Sequence, residues 1–587
     1  MFKKSGSTRT IRTIFNLWFV GISIIALFSS FASAQSEREA GRGVGPRTEI
    51  ENDIDKALPP PEATVIDRSD RSVLDAVRKH VMTMPVKASS PNAVGNSDVF
   101  AYAMQRLGEF AELKGDFAQY KGLERGVFAR IYGFNDKAAQ NFMDAAAQMQ
   151  QFVVVTEADN AMDGKFASKE EPFNFDFASA KWKNNGQARG IQKMLANGFT
   201  QASPQNPKRT DKMIVMDPLN NPADKENDPL MHEKEFVFFV KKPDGSIEVV
   251  DYISQTANGN EGDRHNRGLE LDIPELGKKA YEHTLKMVDA FIDGKPIHEI
   301  EGGGATVVKF KDGLVGQAWT DGKYDWNQRI VDRLNQVERG ELQIEHLLLS
   351  EFVFTTGKVR TALINALKAD IERAKTEGRQ PFRVTLAIEG KFAESRQANL
   401  ASTLVGIPNA MGGFEPGEPA KFFTWQAPAA ALKQITVYVH QRPVEGVPVV
   451  NPDGVPNHYF LQHDKTAVFV SKETVYIETG SFNLSNNFHS AETRIFLEVP
   501  RTSWIGQSFE SSITELIKDK YFIRGEKGFA RMSLSRLIEH SWFEIPFEFE
   551  GKPVMENLLD LLGVNDWKDG QKPRMNLAEA KELMLSL

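Results

Sequence analysis

The sequence predicts an α/β protein built from two similar lobes that share one site. The first observation is a repeated order of elements, since a strand, a helix and a second strand are expected over 127–158 and again over 352–390. The second is a His-x-Lys sequence that occurs twice, each time at the head of an apolar, β-branched run that favours a strand. The third is that a Ser/Thr-x-Asn sequence closes each of these segments.

The two His-x-Lys pairs are His232 with Lys234 and His463 with Lys465. In a strand, residues i and i+2 point to the same face, so the histidine and lysine of a pair project together, whereas Asp464 faces away. An imidazole can attack phosphorus or deliver a proton, and an ammonium can hold the charge on the non-bridging oxygens. Each pair therefore suits a phosphate group.

The polar residues that follow the runs are Thr256 and Asn258 in the first half, and Ser481 and Asn483 in the second. They again stand at i and i+2, so they can add hydrogen-bond donors on one face. Gly480 precedes the second set and permits a close approach of the backbone. We expect these four polar residues to bind substrate phosphate.

With these motifs the sequence resembles the phospholipase D superfamily, whose signature is a duplicated His-x-Lys followed by Gly-Ser-x-Asn. The resemblance extends loosely over roughly 120–520. It implies two phospholipase D-like α-β-α sandwich lobes packed around one shared active site. It also implies phosphodiester chemistry without metal or cofactor, in which His232, from the N-terminal half, forms a phosphohistidine and His463 protonates the leaving alcohol.

The resemblance further implies an acidic residue that orients a histidine. Glu492 stands in that place, and Glu270 is a candidate partner in the first half. The family motif usually carries an Asp five residues after the Lys, where this sequence has Phe239 and Val470. An inactive lipid- or phosphate-binding protein is therefore one alternative, and two ordinary strand histidines with hydrogen-bonded rings are another.

The predicted organisation has six parts. Basic residues precede an apolar segment from Ile14 to Phe31 that ends in Ala-Ser-Ala, so 1–34 are expected to be a cleaved signal peptide, with an uncleaved membrane anchor as the alternative. The remaining order of elements indicates a linker, an N-terminal lobe, a connection, a C-terminal lobe and a C-terminal helical cap, over 35–72, 73–300, 301–345, 346–520 and 521–587.

Helical patterns are expected at the start of the first lobe, over 73–84 and 100–113, and after each motif, over 275–294 and 505–519. His80 lies within the first pattern, where a solvated or core-edge histidine is expected rather than a ligand.

The amino-acid composition limits the cellular location and the binding partners that we expect for the protein. The sequence has no cysteine, which in an exported chain favours a periplasmic or secreted bacterial enzyme over a small disulfide-stapled domain. The net charge is −8, and it becomes −12 without 1–34, which carry four basic and no acidic residues. An acidic chain makes nucleic acid an unexpected partner. We predict a phosphodiesterase that cleaves phospholipid head groups at a membrane surface, with a nuclease or another phosphodiesterase of the superfamily as the alternative.

Overall fold

The computed structural model describes most of the two lobes. The described residues are 60–82, 93–94, 99–158, 161–163, 181–217, 231–259, 263–264, 266–295, 304–319, 324–354, 356–389, 429–440, 461–485, 490–517, 529–532, 548–549 and 552–553. The predicted signal peptide, most of the predicted linker and the expected helices of the C-terminal cap lie outside them. Within the described residues, no helix is both long enough and apolar enough to cross a membrane.

The elements of the first part of the chain end with the helix that follows the first motif. They are β1 (Thr64–Arg68), α1 (Val73–Ala76), β2 (Val77–Met82), β3 (Ala93–Val94), α2 (Val99–Ala111), a 3₁₀ helix (Gly115–Tyr120), β4 (Glu124–Ile131), α3 (Asp136–Ala146), β5 (Gln151–Glu157), β6 (Met162–Asp163), β7 (Lys181–Trp182), α4 (Gly186–Ala196), β8 (Thr200–Gln201), β9 (Lys212–Asp217), β10 (Lys234–Lys241), β11 (Ile247–Gln255), β12 (Asp263–Arg264), β13 (Arg267–Leu271) and α5 (Pro274–Ile292).

The elements of the second part begin with a hairpin. They are β14 (Gly304–Phe310), β15 (Gly313–Trp319), α6 (Gln328–Arg339), β16 (His346–Glu351), α7 (Gly357–Glu377), β17 (Arg383–Glu389), α8 (Ala429–Leu432), β18 (Ile435–His440), β19 (Leu461–Gln462), β20 (Lys465–Val470), β21 (Thr474–Gly480), β22 (Thr493–Pro500), α9 (Trp504–Leu516), β23 (Phe529–Met532), β24 (Glu548–Phe549) and β25 (Lys552–Pro553).

Two large mixed sheets organise the described residues. Their strand orders are β3-β2-β13-β11-β10-β4-β5-β9-β8 and β1-β14-β15-β22-β21-β20-β16-β17-β18-β23. In the first sheet β4, β5 and β9 are parallel, and β10, β11, β13 and β2 continue it as antiparallel strands. In the second, β16, β17 and β18 are parallel, and β20, β21, β22 and β15 continue it in the same way. The predicted α/β fold of two similar lobes is confirmed.

Local sequence explains the repeated strand, helix and strand of each lobe. In the first lobe, the Asn135 side chain accepts a hydrogen bond from the Ala138 amide at 2.9 Å and so caps α3. The buried face of α3 includes Phe142, which packs against the buried strands of the sheet. In β10, every residue from Lys234 to Val240 is buried, as expected of a central strand covered on both faces.

The expected helix over 73–84 is wrong beyond its first turn. Helix α1 ends at Ala76, and β2 follows directly, because this segment pairs with β13 at the edge of the sheet. Tertiary pairing thus overrides the helical periodicity. His80 is fully buried rather than solvated, with its ring stacked 3.8 Å from that of Phe509. The helix expected over 100–113 is confirmed as α2, and those expected over 275–294 and 505–519 as α5 and α9.

Three further boundaries differ from the expectation. The strand expected at 352–357 is not formed there, and the strand of this region is β16, which ends at Glu351, immediately before that range. Residues 301–345 do not merely connect the lobes, because β14 and β15 join the second sheet and α6 packs in its core. Strand β23, within the expected helical cap, pairs with β18. Strands β15, β16 and β23 pair with β22, β20 and β18, which are distant in sequence, so local pattern could not indicate these pairings.

Candidate active site

The two His-x-Lys pairs meet where the lobes face each other. His232 and His463 lie immediately before β10 and β20, and their ring centroids are 6.4 Å apart at an interplanar angle of 72°. Both rings are buried, at 1% and 0% exposure. A group the size of a phosphate can be contacted by both imidazoles at this separation. The structure therefore brings the duplicated residues of the sequence into one site.

The first half of the site combines His232 and Lys234 with an aromatic ring. Lys234 Nζ donates a hydrogen bond to the His232 carbonyl oxygen at 2.7 Å. The same Nζ lies 5.3 Å from the centroid of the Tyr132 ring, which also contacts the His232 imidazole edge-on at 5.0 Å. Tyr132 follows β4 directly, so the strand order of the lobe places it here.

The second half repeats this arrangement. Lys465 Nζ donates to the His463 carbonyl oxygen at 3.0 Å and lies 4.9 Å from the centroid of the Phe352 ring. Phe352 follows β16 as Tyr132 follows β4, and its ring lies 4.6 Å from the His463 imidazole. Lys465 Nζ is also 3.2 Å from His463 Nε2. Each ammonium is thus held over an aromatic face, an arrangement that stabilises a cation in a buried place.

The two imidazoles have different hydrogen-bond acceptors. His232 Nδ1 donates to the Glu492 carboxylate, at 2.7 Å to Oε1 and 2.9 Å to Oε2. His463 Nδ1 donates to the Thr256 carbonyl oxygen at 3.0 Å. Both acceptors lie in the opposite lobe and neither can donate, so the proton of each neutral ring is on Nδ1 and the lone pair is on Nε2. A carboxylate stabilises positive charge on its ring far more than a carbonyl does.

The hydroxyl groups of the Ser/Thr-x-Asn segments bind backbone. Ser481 Oγ accepts from the Thr493 amide at 2.9 Å, and Thr256 Oγ1 accepts from the Arg267 amide at 2.9 Å. These contacts close the ends of the hairpins in both lobes. The expected contact of the hydroxyls with phosphate stays a prediction, as does that of Asn258 and Asn483, which are buried two residues further on.

Gly480 is a position that only glycine fits. Its φ is 147°, and an added Cβ would lie 2.2 Å from the Thr493 carbonyl oxygen. This carbonyl accepts the Ser481 amide at 2.9 Å. The close approach of backbone that the sequence predicts here is therefore between β21 and β22.

Apolar residues at the two positions of the usual Asp belong to the core. Phe239 is 3% exposed, and its ring packs 4.8 Å from both Phe128 and Tyr281. Val470 is fully buried. Neither position lies at the start of its strand with the His-x-Lys pair, so the substitutions change the packing behind the sheet and remove no group from between the histidines.

The counterpart of Glu492 in the first lobe is Asn266, and the prediction of Glu270 is wrong. Glu492 precedes Thr493, whose backbone pairs with Ser481, and Asn266 precedes Arg267, whose backbone pairs with Thr256 in the same way. Asn266 Oδ1 accepts from Thr256 Oγ1 at 2.9 Å. Glu270 lies further along β13 and pairs with Arg106, at 3.0 Å from Nη2 to Oε1, and with the Tyr102 hydroxyl.

Sequence reasoning also missed two buried glutamates. Glu157 ends β5 and accepts the Met231 amide at 3.0 Å, and Glu389 ends β17 and accepts the Gln462 amide at 2.9 Å. Both are 0% exposed. Their only signal in the sequence is that each closes an apolar strand run, in FVVVTE and RVTLAIE. The neighbouring strand places Asp217 beside Glu157, and burial raises the pKa of Asp217 to about 8.

Two acidic residues, Asp464 and Glu351, lie near Lys465 in the second half of the site. Asp464 faces away from the histidine, as predicted, and forms an ion pair with Arg267 of the first lobe. Glu351 is the strand partner of Lys465. Burial raises the pKa of Glu351 well above its usual range, although nearby Arg494 opposes the rise. A raised pKa favours the neutral form of Glu351, which leaves the positive charge of Lys465 available to a phosphate.

The two α/β lobes each bring one His-x-Lys pair to a shared site, which is the arrangement that the resemblance to the phospholipase D superfamily implies. No family model and no curated protein matches the sequence. Among solved structures, the chain is similar to a polyphosphate kinase from Porphyromonas gingivalis, with 15% identity, a TM-score of 0.38 and coverage of 76% of this chain and 48% of that one. It thus spans about half the length of that kinase.

Two other solved structures are similar to the chain, one with a lower and one with a slightly higher sequence identity than the kinase. A phosphatidylserine synthase from Haemophilus influenzae is 11% identical, with a TM-score of 0.42 and coverage of 88% of this chain and 97% of that one. A phospholipase D family member, Nuc, from Salmonella typhimurium is 17% identical, with a TM-score of 0.18 and coverage of 35% and 93%.

Proposed function

We propose that the chain is a phosphodiesterase that cleaves phospholipid head groups through a phosphohistidine at His232. The observation that carries the proposal is the pair of imidazoles 6.4 Å apart, each with its own lysine and each presenting Nε2 as the reactive nitrogen. Two imidazoles and two ammonium groups around one small space match the needs of a phosphodiester, which requires a nucleophile, an acid and charge neutralisation.

The different partners of the rings decide their roles. When His232 Nε2 attacks phosphorus, its ring becomes cationic, and the Glu492 carboxylate stabilises that charge. Protonated His463 donates its Nε2 proton to the leaving oxygen, and the ammonium of Lys465, 3.2 Å away, favours loss of that proton. A water molecule then attacks the phosphohistidine, and His463, now neutral, accepts a proton from it.

The remaining groups would hold the phosphate. Lys234 and Lys465 are positioned to neutralise its non-bridging oxygens, and Asn258 and Asn483 follow the two hairpins at equivalent places. We extend the proposal to lipid and to export on the basis of the acidic composition and the predicted signal peptide, which together favour a phospholipid substrate outside the cytoplasm over nucleic acid.

The test is head-group release from mixed phospholipid vesicles in the presence of a chelator. Wild type is compared with His232→Ala, His463→Ala and a control, His346→Ala. The control histidine lies at the start of β16, where its Nε2 is 2.8 Å from Thr385 Oγ1, in a part of the lobe that does not touch the paired imidazoles. We expect release that is lost in both site variants and kept in the control.

Other outcomes would redirect or overturn the proposal. Cleavage of single-stranded DNA without release of head groups would identify a nuclease. Binding of vesicles without cleavage of any phosphodiester would identify a binding protein. Release that persists in either site variant would contradict a shared two-histidine site.

A further inference from the structure

We propose that Glu157 and Glu389 are positioning residues, each of which holds one of the two histidines in place for its own step of the reaction. The inference rests on the proposed function for its kinetic consequences, but the positioning itself can be measured without activity. Each glutamate accepts the amide of the residue before a different histidine, so we expect the two to have separable effects.

The backbone before His232 is held from two sides. On one side, the His232 amide donates to the Ala491 carbonyl oxygen of the opposite lobe at 2.9 Å, and Met231 forms a parallel bridge with Ala491. On the other side, the Met231 amide donates to Glu157 Oε2 of its own lobe at 3.0 Å. The peptide that carries the histidine is thereby fixed across the junction of the lobes before β10 begins.

The same arrangement occurs before His463. There, β19 pairs in parallel with β12 of the opposite lobe, which places Gln462 beside Arg264. The Gln462 amide donates to Glu389 Oε2 of its own lobe at 2.9 Å. In both lobes, therefore, the residue immediately before the histidine is bound by a glutamate at the end of the equivalent parallel strand.

A carboxylate is an unusual acceptor for this purpose. Burial of an ionised carboxyl costs several kcal/mol unless it is well paired, and an amide side chain could accept the same hydrogen bond at lower cost. Both lobes place a fully buried glutamate at this point, and each glutamate acts on the one peptide from which a histidine extends.

Loss of this contact should displace the imidazole without removing it. A displacement of about 1 Å can lower a rate about 100-fold when nucleophile and substrate must align. Displacement of His232 should slow formation of the phosphohistidine whatever the leaving group is. Displacement of His463 should slow formation of the phosphohistidine only where the leaving oxygen needs a proton, since p-nitrophenolate leaves without one, and should slow hydrolysis of the phosphohistidine for both substrates.

The kinetic test uses the full chain and two phosphodiesters, one with a p-nitrophenol and one with an alkyl alcohol leaving group. We expect Glu157→Leu to lower kcat about 100-fold on both substrates, with little change in KM. We expect Glu389→Leu to lower the rate at which the leaving group is released in the first turnover about 100-fold for the alkyl ester and less than about 3-fold for the p-nitrophenyl ester. Glu157→Gln and Glu389→Gln keep an acceptor and should recover activity to within about 5-fold of wild type.

A matched control removes a similar contact elsewhere. Asp370 is buried in α7, and its Oδ2 accepts the Phe382 amide at 2.8 Å, remote from the histidines. Asp370→Leu should lower stability and leave the ratio of the two rates unchanged. Equal losses of the first-turnover rate on both substrates in Glu389→Leu, or a changed ratio in Asp370→Leu, would overturn the proposal.

A second measurement does not depend on activity. In protein labelled with ¹⁵N at histidine, Glu157→Leu should shift the imidazole resonances of His232 but not those of His463, and Glu389→Leu should do the reverse. If a leucine variant does not fold, the corresponding alanine variant, which adds no bulk, takes its place. If the variants show selective shifts but the wild-type protein has no phosphodiesterase activity, the proposed function alone is refuted. If the wild-type protein is active but the variants show no selective shifts, the positioning role alone is refuted.

Discussion

The two halves of the site share one framework and differ in the partner of the histidine. Each half has a lysine over an aromatic ring and a histidine whose Nδ1 donates to the opposite lobe. His232 donates to the carboxylate of Glu492, whereas His463 donates to the carbonyl of Thr256. A duplicated framework therefore places two imidazoles symmetrically, and one changed side chain, Glu492 in place of Asn266, makes them chemically unequal.

The largest expected effect is that the two histidine variants respond differently to the leaving group of the substrate. His232→Ala should lose all turnover, because no nucleophile remains. His463→Ala should still release p-nitrophenol and form the phosphohistidine in the first turnover, and this first step should be about 10²- to 10⁴-fold slower on an alkyl ester. Two quantities are measured: the rate at which each substrate releases its leaving group, and the amount of acid-labile phosphate bound to the protein after rapid quenching. Protein-bound phosphate in His232→Ala would reverse the assignment of roles.

A substitution at the hairpin end tests the same comparison through stability. Gly480 and Gln255 occupy equivalent places before Ser481 and Thr256. Gly480→Ala should lower the free energy of unfolding by about 3 kcal/mol, because the added Cβ meets the Thr493 carbonyl oxygen and φ is 147°. Gln255→Ala removes the hydrogen bond that Gln255 Nε2 donates to the Ala257 carbonyl oxygen at 3.0 Å, and it should cost about 1–2 kcal/mol. Urea unfolding measures the free energy of unfolding of both variants. Equal losses would show that the close backbone approach at Gly480 makes no special demand on that hairpin.

The role of Glu492, the partner of His232, is tested by removing the charge of the Glu492 side chain. Glu492→Gln should lower kcat about 10- to 100-fold, since a hydrogen bond to a charged group contributes about 1.5–3 kcal/mol. Asn266→Ala, at the equivalent place in the other half, should lower kcat less than about 3-fold, because Asn266 acts on the Thr256 hydroxyl. Steady-state rates measure both variants. Equal losses would mean that the asymmetry between the halves has no chemical role.

Much of this framework could be predicted from local sequence. The runs that became β10, β11, β20 and β21 are apolar and end in polar residues, so both motifs were placed on the correct strands. The separation of Asp464 from the site followed from the alternation of side chains in a strand.

Contacts that depend on register between distant strands could not be predicted. Glu270 and Asn266 are four residues apart in sequence, and only the pairing of β13 with β11 shows that Asn266 is the counterpart of Glu492. His80 is buried because α9, from the other end of the chain, stacks Phe509 on its ring. The strand that was expected at 352–357 was displaced because both HLLLSE and FVF are apolar enough to form one.

The smallest expected effect concerns the pH dependence of a half-buried histidine outside the site. Burial, with a further contribution from Arg383, lowers the pKa of His346 to about 4 from its ordinary value of 6.5. Between these values the unfolded chain binds a proton that the folded chain does not, so the contribution of His346 to stability is complete above pH 6.5 and declines as pH falls toward 4. In His346→Gln that decline is removed. The free energy of unfolding of wild type relative to the variant should therefore fall by about 1–2 kcal/mol between pH 7 and pH 5, as measured by urea unfolding. A difference that is the same at both values would mean that the His346 ring is protonated in the folded chain, and that the start of β16 is more open to water than its packing indicates.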